Sequence, residues 1–298
     1  MAARPDHLLR NSLDGRVHAT LGQNRSPLYV YAEPQGDPGW FGPDSMTWKV
    51  HGRLGPMLVG GLSALMLQAL HPRVVQGVAD HSNYREDPLG RLQRTADFIA
   101  NTTYGSEALA SAAVQRVRMI HGRIRGTTAS GTSYRATDPE LLRYVHVTEV
   151  WSFLRSYQRY SQRPLLAAEK DQYLSEMSIV AERLGARVVP SSVDEVRAYL
   201  RELRPELVRG TEAEKVLRFL LRPARRSLLD SAAHHTVVEA AIDLLPAFAR
   251  RELGLTRPRG LRILAVRPAA TLLCQTLQWT SGEAPMRAMA MERSRGSL

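Results

Sequence analysis

Cysteine and aromatic residues are scarce in this chain. A single cysteine in 298 residues, Cys274, excludes an internal disulfide and a four-cysteine metal site. It lies in the apolar run ATLLCQTLQW, which favours packing as a small hydrophobe over chemical reactivity. Aromatic residues make up only 6% of the sequence, which is little for stacking on nucleic-acid bases.

Several signature motifs are also missing. The sequence has no GxGxxG, no GxxxxGK[ST], no HExxH, no CxxC and no GxSxG, so dinucleotide binding, P-loop chemistry, zinc proteolysis and nucleophile-elbow hydrolysis have no support. The first residues contain no apolar segment of the secretory type, and this favours a reducing cytoplasm.

The longest uncharged run, residues 54–70, has 17 residues and is at the short limit for a membrane-spanning helix. Because it contains Pro56 and several small residues, we interpret it as a buried helix and expect no transmembrane segment. Its Gly60, Gly61, Ser63 and Ala64 would let another helix or a flat ligand approach closely.

Positive charge is abundant and is carried almost entirely by arginine. The net charge is +11, and only Lys49, Lys170 and Lys215 are lysines. The arginines are spread along the chain and are not gathered in a tail. Such a balance favours acidic ligands, anionic lipid or nucleic acid as partners, although an arginine bias of this kind weakens the inference to nucleic acid.

Helical periodicity dominates the chain, and alternating strand patterns are nearly absent. The pattern predicts an all-α protein with a single globular domain of about nine to eleven helices over residues 41–280. Residues 1–40, which are polar and rich in proline and glycine, predict an extended N-terminal arm. Residues 281–298 predict a flexible tail.

The stretch VRMIHGRIRG, residues 117–126, places one histidine among arginines. Arg118, His121 and Arg125 are spaced i, i+3 and i+7 and share one helical face. Neighbouring positive charge keeps imidazole neutral, which is the form that binds a metal, and the arginines suit anionic groups beside that metal. Taken alone, the stretch favours a solvated basic face with an incidental histidine.

A second constellation is RLQRT, residues 91–95. Arg91, Arg94 and Thr95 are spaced i, i+3 and i+4 and therefore lie on one face of a helix. Considered alone, these are two solvated arginines and a hydroxyl that faces its own helix.

The ordered set of motifs resembles the bacterial DUF2236 family, which is grouped with MpaB-type oxygenases and latex clearing (rubber oxygenase) proteins. The resemblance is carried by GGLSALMLQALHPRVVQGVADHS, RLQRT, VRMIHGRIRG and YRATDPELLRYVHVTEVWSFL, and continues through YLSEMSIVAERLG, DEVRAYL and LLPAFARRELGL. It covers about residues 40–255, and the order and spacing are more specific than any one motif.

This resemblance implies an all-helical core that holds haem b, with a histidine as the proximal iron ligand. The helix that carries this histidine in the rubber oxygenases matches VRMIHGRIR, which makes His121 the expected metal ligand. Arg118 and Arg125, with Arg123 as an alternative, would then pair with the haem propionates.

The RLQRT face matches the segment that supplies distal-pocket residues in the same relatives. Arg91 and Thr95 agree with that pattern, whereas Arg94 stands where the rubber oxygenases carry a lysine. Guanidinium effectively cannot deprotonate to ligate iron, so the resemblance predicts catalytic positions at Arg91, Arg94 and Thr95 without a lysine-type sixth ligand. Asp80 and Glu86 are candidates for a distal general base.

The function expected from these residues is that of a haem b-dependent oxidoreductase of oxygenase type. It would act on a small apolar or natural-product substrate with dioxygen or peroxide and, where the cycle requires it, an electron donor. One alternative is a non-haem metal enzyme, although the chain has no E-x-x-H pair. The other is a non-catalytic basic helical protein that binds nucleic acid or anionic membrane; no recognition helix is present, and we expect no sequence-specific nucleic-acid binding.

Overall fold

A computed structural model describes residues 27–222 and 227–296 of the chain. It is 71% helical, which confirms the all-α prediction. The thirteen α-helices of the described residues are α1 (Met46–His51), α2 (Leu54–Gln68), α3 (Pro72–His81), α4 (Pro88–Tyr104), α5 (Glu107–His121), α6 (Pro139–Tyr160), α7 (Ala167–Leu184), α8 (Val193–Glu202), α9 (Thr211–Leu221), α10 (Leu228–Leu244), α11 (Ala247–Glu252), α12 (Arg267–Ser281) and α13 (Pro285–Arg295).

Short helical turns complete the described chain. Leu28–Tyr31 and Arg204–Glu206 are 3₁₀ turns, and Arg259–Leu261 leads through a π-helical turn at Arg262–Val266 directly into α12. The number of helices exceeds the nine to eleven expected. The difference arises because α1 and α11 have only six residues each, too few for a clear periodic pattern, and because α13 lies in the segment expected to be a tail.

The apolar helix α2 lies at the centre of the fold and contacts α6, α10 and α12. Its small residues permit this: a Cβ built on Gly60 would lie 2.9 Å from Phe153 Cδ1, and one built on Gly55 would lie 2.7 Å from the Cα of Cys274. The run 54–70 is therefore a core helix approached closely by other helices, as the sequence indicates. Cys274 is buried in this contact, and burial raises its pKa to about 12, so it packs as a hydrophobe.

A small sheet interrupts the helices. Strands β1 (Arg125–Thr127) and β2 (Ser133–Arg135) pair antiparallel, with Gly126 opposite Tyr134. A Cβ on Gly126 would lie 2.5 Å from the Tyr134 hydroxyl, which explains why a glycine occupies this position. The prediction that Arg118, His121 and Arg125 share one helical face is wrong for Arg125, because α5 ends at His121 and Arg125 belongs to β1. Three residues per strand are too few to produce a recognisable alternation, so the sequence does not reveal this hairpin.

The two ends of the described chain pack together. Residues 1–26 of the predicted arm lie outside the described residues, but Tyr31 is buried in a cluster with Trp48, Tyr104 and Ala290. In place of the flexible tail predicted from residue 281, α13 lies against the 3₁₀ turn at Leu28–Tyr31 and against α4. Arg293 of α13 is fully buried.

The buried guanidinium of Arg293 holds this contact in place. It donates to the carbonyl oxygen of Asp37 at 2.7 Å and to that of Tyr31 at 2.9 Å. The polar composition of both segments conceals the contact from sequence analysis, because the contact depends on pairing between distant residues.

Candidate functional site

Four chain segments meet where the two predicted motifs lie: the end of α3, the start of α4, the end of α5 and β1. We call this region the His121 junction, and it comprises residues 80–95 and 118–125. Helix α4 begins here because Asp87 caps it, accepting a hydrogen bond from the Gly90 N–H at 2.9 Å, and because Pro88 occupies the first turn. The short connection at Gly105 and Ser106 returns the chain into α5, which packs on α4.

Hydrogen bonds join the segments of the junction. The Arg91 guanidinium donates to the hydroxyl of Ser82. The adjacent His81 places its Nε2 3.2 Å from the carbonyl oxygen of Arg125. Two neighbouring residues, His81 and Ser82, thus contact Arg125 and Arg91, which belong to separate motifs.

His121 is the last residue of α5 and is partly buried. Burial lowers its pKa below the ordinary value, so the imidazole is neutral near pH 7. Within the described residues the ring makes no hydrogen bond. A neutral imidazole with neither nitrogen engaged has the chemistry of a metal ligand.

The arginines near His121 are largely uncompensated. Arg118 is exposed and donates to the carbonyl oxygen of Arg183 at the long distance of 3.4 Å. Arg123 and Arg125 are exposed, and none of the three forms an ion pair with a carboxylate of the described residues. Their charges are therefore available to an anionic group at this surface.

The RLQRT residues differ from one another in their surroundings. Arg91 is partly buried, and burial is the main cause that lowers its pKa. Arg94 is exposed and pairs with Asp87 at 3.2 Å. Thr95 is exposed, and its hydroxyl donates to the carbonyl oxygen of Arg91 at 3.1 Å. Arg91 is thus integrated into the junction, whereas Arg94 and Thr95 lie at its surface, and the distal role of all three stays a prediction.

The two candidate general bases are not equivalent. Both carboxylate oxygens of Asp80 accept hydrogen bonds, one from the Tyr134 hydroxyl at 2.5 Å and one from the Gln76 amide at 2.8 Å. Burial and the bond to Asp80 raise the pKa of Tyr134. Glu86 is exposed, and its carboxylate makes no hydrogen bond with a described residue. Asp80 therefore acts first as an anchor for the β hairpin.

Large apolar side chains are exposed at the same junction. Four of them lie on the first turns of α4 and the last turn of α5 with exposed fractions of 38–66%: Leu89, Leu92, Met119 and Ile120. Apolar surface beside uncompensated guanidinium groups and a neutral imidazole suits a flat apolar cofactor with anionic substituents. The donor set of the junction therefore fits haem b.

A buried polar chain in the core was missed by sequence reasoning. His51 places Nδ1 2.8 Å from the Thr103 hydroxyl and Nε2 3.1 Å from the Tyr173 hydroxyl. Near Tyr173 lies Glu149, whose desolvated carboxyl makes no hydrogen bond with a described residue and whose pKa is raised by burial to about 7. These residues come from α1, α4, α6 and α7, so their proximity leaves no local signal in the sequence.

Two other findings concern ligands and membranes. The described residues contain no group of three or more His, Cys, Asp or Glu side chains placed to hold a metal ion. No single described helix is long and apolar enough to cross a membrane, although α2 and α3, which are bent by 106° to each other, reach that length and composition as a pair.

The fold and the junction together define an all-α domain that presents a neutral histidine among free arginines. Residues 48–279 match the family described as ER-bound oxygenase mpaB/B'/Rubber oxygenase, catalytic domain, and the chain belongs to this family. The match confirms the resemblance drawn from the motifs and extends it beyond residue 255, through α12. Among curated proteins and solved structures no match was found.

Proposed function

We propose that this protein is a haem b-dependent oxygenase that acts on a small apolar or natural-product substrate. Two observations support the proposal: membership of an oxygenase catalytic-domain family, and the neutral, unbonded imidazole of His121 among uncompensated arginines. The observation that carries it is the state of His121. Haem iron requires only one or two axial ligands from the protein, and histidine is among the commonest.

In this proposal His121 binds the iron through one ring nitrogen. Since burial keeps the imidazole neutral, a proton does not compete with the metal for this nitrogen near pH 7. The exposed Arg118 and Arg125 bind the propionate groups, because neither is engaged by a carboxylate of the described residues. Bound haem iron supplies the activation of dioxygen or peroxide.

The residues of α4 shape the opposite side of the site. Arg91, held by Ser82, presents a fixed positive charge, and Thr95 contributes a hydroxyl at the surface of the same helix face. A guanidinium group has no lone pair for iron, so Arg94 does not serve as an iron ligand in this proposal. Its guanidinium, one turn along from Arg91, can exchange Asp87 for an anion.

The exposed apolar side chains Leu89, Leu92, Met119 and Ile120 support both an apolar cofactor face and an apolar substrate. Their transfer from water on binding is favourable by about 25 cal/mol for each Å² that becomes buried. A hydrophilic substrate would gain nothing from this surface.

The ligand assignment is tested by two histidine variants. We expect His121→Ala to lose haem or to shift its absorbance bands through a change of axial ligand. His235→Ala is the matched control, because His235 is exposed on α10 and its side chain makes no hydrogen bond with a described residue. A His121→Ala protein with the wild-type spectrum and haem content would show that the ligand is another residue.

A further inference from the structure

A second basic site lies away from the His121 junction, between the end of α6, the start of α7 and α8. A cavity of about 350 Å³ occupies this place, and an adjoining one of about 240 Å³ shares Lys170, Val193 and Arg197 with it. Together they form what we call the basic groove. The volume of the larger cavity is that of a small-molecule site. Its lining consists of Trp151, Leu154, Arg155, Gln158, Arg159, Lys170, Val193 and Arg197.

Four of these lining residues are cations, and two are already compensated. Arg197 pairs with Asp194 at 3.2 Å, and Arg159 lies 3.4 Å from Asp243. The side chains of Arg155 and Lys170 form neither an ion pair nor a hydrogen bond with any described residue.

One further carboxylate, Asp171, lines the smaller cavity, and it accepts a hydrogen bond from the Val193 N–H at 2.8 Å. The groove therefore keeps an excess of positive charge at Arg155 and Lys170.

Arg155 is held in place without being neutralised. Its guanidinium lies 5.7 Å from the centroid of the Trp151 ring, which is a cation–π distance. Burial, followed by the charge of Arg159, lowers the pKa of Arg155, so its charged form is disfavoured where it stands. An anion in the groove would relieve this cost, because Arg stays protonated and guanidinium binds phosphate through two parallel hydrogen bonds.

We propose that the basic groove binds a phosphate monoester that carries an apolar group. A phosphate monoester has a charge of about −1.5 to −2 at pH 7, which matches the two uncompensated cations Arg155 and Lys170. The apolar walls Trp151, Leu154 and Val193 receive the organic part. This site shares no residue with the His121 junction and does not depend on the haem proposal.

Calorimetric titration of the full-length protein with phenyl phosphate and with inorganic phosphate tests the proposal. We expect one saturable site per chain. Phenyl phosphate should bind about tenfold or more tightly than inorganic phosphate, because its ring is buried against the apolar walls. Equal affinity for the two probes would overturn the assignment, as would the absence of saturable binding of phenyl phosphate at millimolar concentration.

Three glutamine variants locate the site. Arg155→Gln should weaken phenyl phosphate binding about tenfold or more, because a charge-assisted hydrogen bond is lost. Lys170→Gln should also weaken it and covers the case in which Arg155→Gln does not fold. Arg187→Gln is the charge-matched control, since Arg187 is exposed and lies outside both cavities. Equal weakening in the control would show unspecific attraction and overturn the proposal.

Discussion

Two regions of the protein differ in whether their arginines are paired with a carboxylate. In the first region, Arg159, Arg262 and Arg267 surround the fully buried carboxylate of Asp243 at 3.4, 2.9 and 2.9 Å. Burial acts to raise the pKa of Asp243, but the hydrogen bond and charge of Arg267 and the charges of its neighbours lower it overall. We call this region the Asp243 cluster.

At the His121 junction the arginines meet no such partner. Arg118 and Arg125 have no carboxylate within reach among the described residues, and Arg94 shares an exposed pair with Asp87 whose side chains are 62% and 54% accessible. Both regions are rich in arginine, and what separates them is whether the charges are paired with a buried carboxylate. In the Asp243 cluster they are, and in our proposal the charges of the His121 junction are available to a ligand.

The largest effect expected is the loss of the buried carboxylate. Asp243→Asn should lower the free energy of unfolding by about 3–5 kcal/mol, because it leaves three partly buried guanidinium groups without their shared carboxylate. Asp87→Asn is the matched change at the junction. Asparagine retains the cap of α4, and an exposed pair contributes about 1 kcal/mol or less. Urea unfolding of both variants measures the difference, and equal losses would remove the distinction between the regions.

The stability of the protein at acidic pH provides a second test, because it depends on ionisable groups that are buried without a compensating charge. Burial lowers the pKa of His51 to about 3 and those of His71 and His146 to about 4. Because the unfolded chain takes up these protons at about pH 6.5, the stability that they contribute is present above that pH and is lost as the pH falls towards 4. Glu149 acts in the opposite sense. Because burial raises its pKa to about 7, its contribution to stability increases as the pH falls over the same range.

These four groups alone, three against one, give a net loss on acidification of about 3 kcal/mol per pH unit below 6.5. The pKa of Asp243 is lowered, so the Asp243 cluster should stay intact until the pH falls below its ordinary value of 3.8. Unfolding curves measured from pH 7 to pH 4.5 give the slope of the free energy of unfolding against pH, and His146→Gln should reduce this slope. A stability that rises in this range would contradict the account.

A smaller effect compares one arginine from each region. Arg267→Gln should cost about 1.5–3 kcal/mol of stability, because it removes charged hydrogen bonds to Asp243. Arg118→Gln should change stability by no more than about 0.5 kcal/mol, as an exposed substitution does. It should nevertheless speed the transfer of haem to a competing apoprotein, which Arg267→Gln should not. If Arg118→Gln instead lowered stability and left haem transfer unchanged, the role of Arg118 would be structural.

A small effect on stability is also expected at Arg94, whose exposed pair contributes about 1 kcal/mol or less. The ferric protein should bind cyanide readily, because arginine offers no lone pair to block the iron. Arg94→Lys should weaken cyanide binding by supplying an amine that can deprotonate near the metal, and Arg94→Ala should keep the haem. Identical cyanide titrations of all three proteins would place Arg94 away from the iron.

Much of the fold and part of the site could be predicted from sequence. The periodicity gave the all-α class, and the helix bearing RLQRT and the helix bearing His121 were both placed correctly. These are properties of single helices and of the short segments that join them. Local spacing determines them, so a single sequence reveals them. The predicted site role of these residues stays a prediction, and Arg125 lies in β1 and not on the helix that carries His121.

The parts that were not predicted depend on contacts between distant segments. The Asp243 cluster joins α6, α10 and the π turn before α12, and no local pattern marks its members as partners. The burial of Arg293 in a polar C-terminal segment follows from contacts with Tyr31 and Asp37, more than 250 residues earlier. The raised pKa of Glu149 likewise follows from packing around α6.

The central claim is that this domain holds haem through one neutral histidine at the His121 junction. The visible spectrum of wild-type protein, purified from haem-replete cells and accompanied by an iron assay, tests it most directly. The account predicts a Soret band, with one haem and one iron per chain. A colourless, iron-free protein that is correctly folded by circular dichroism would contradict it.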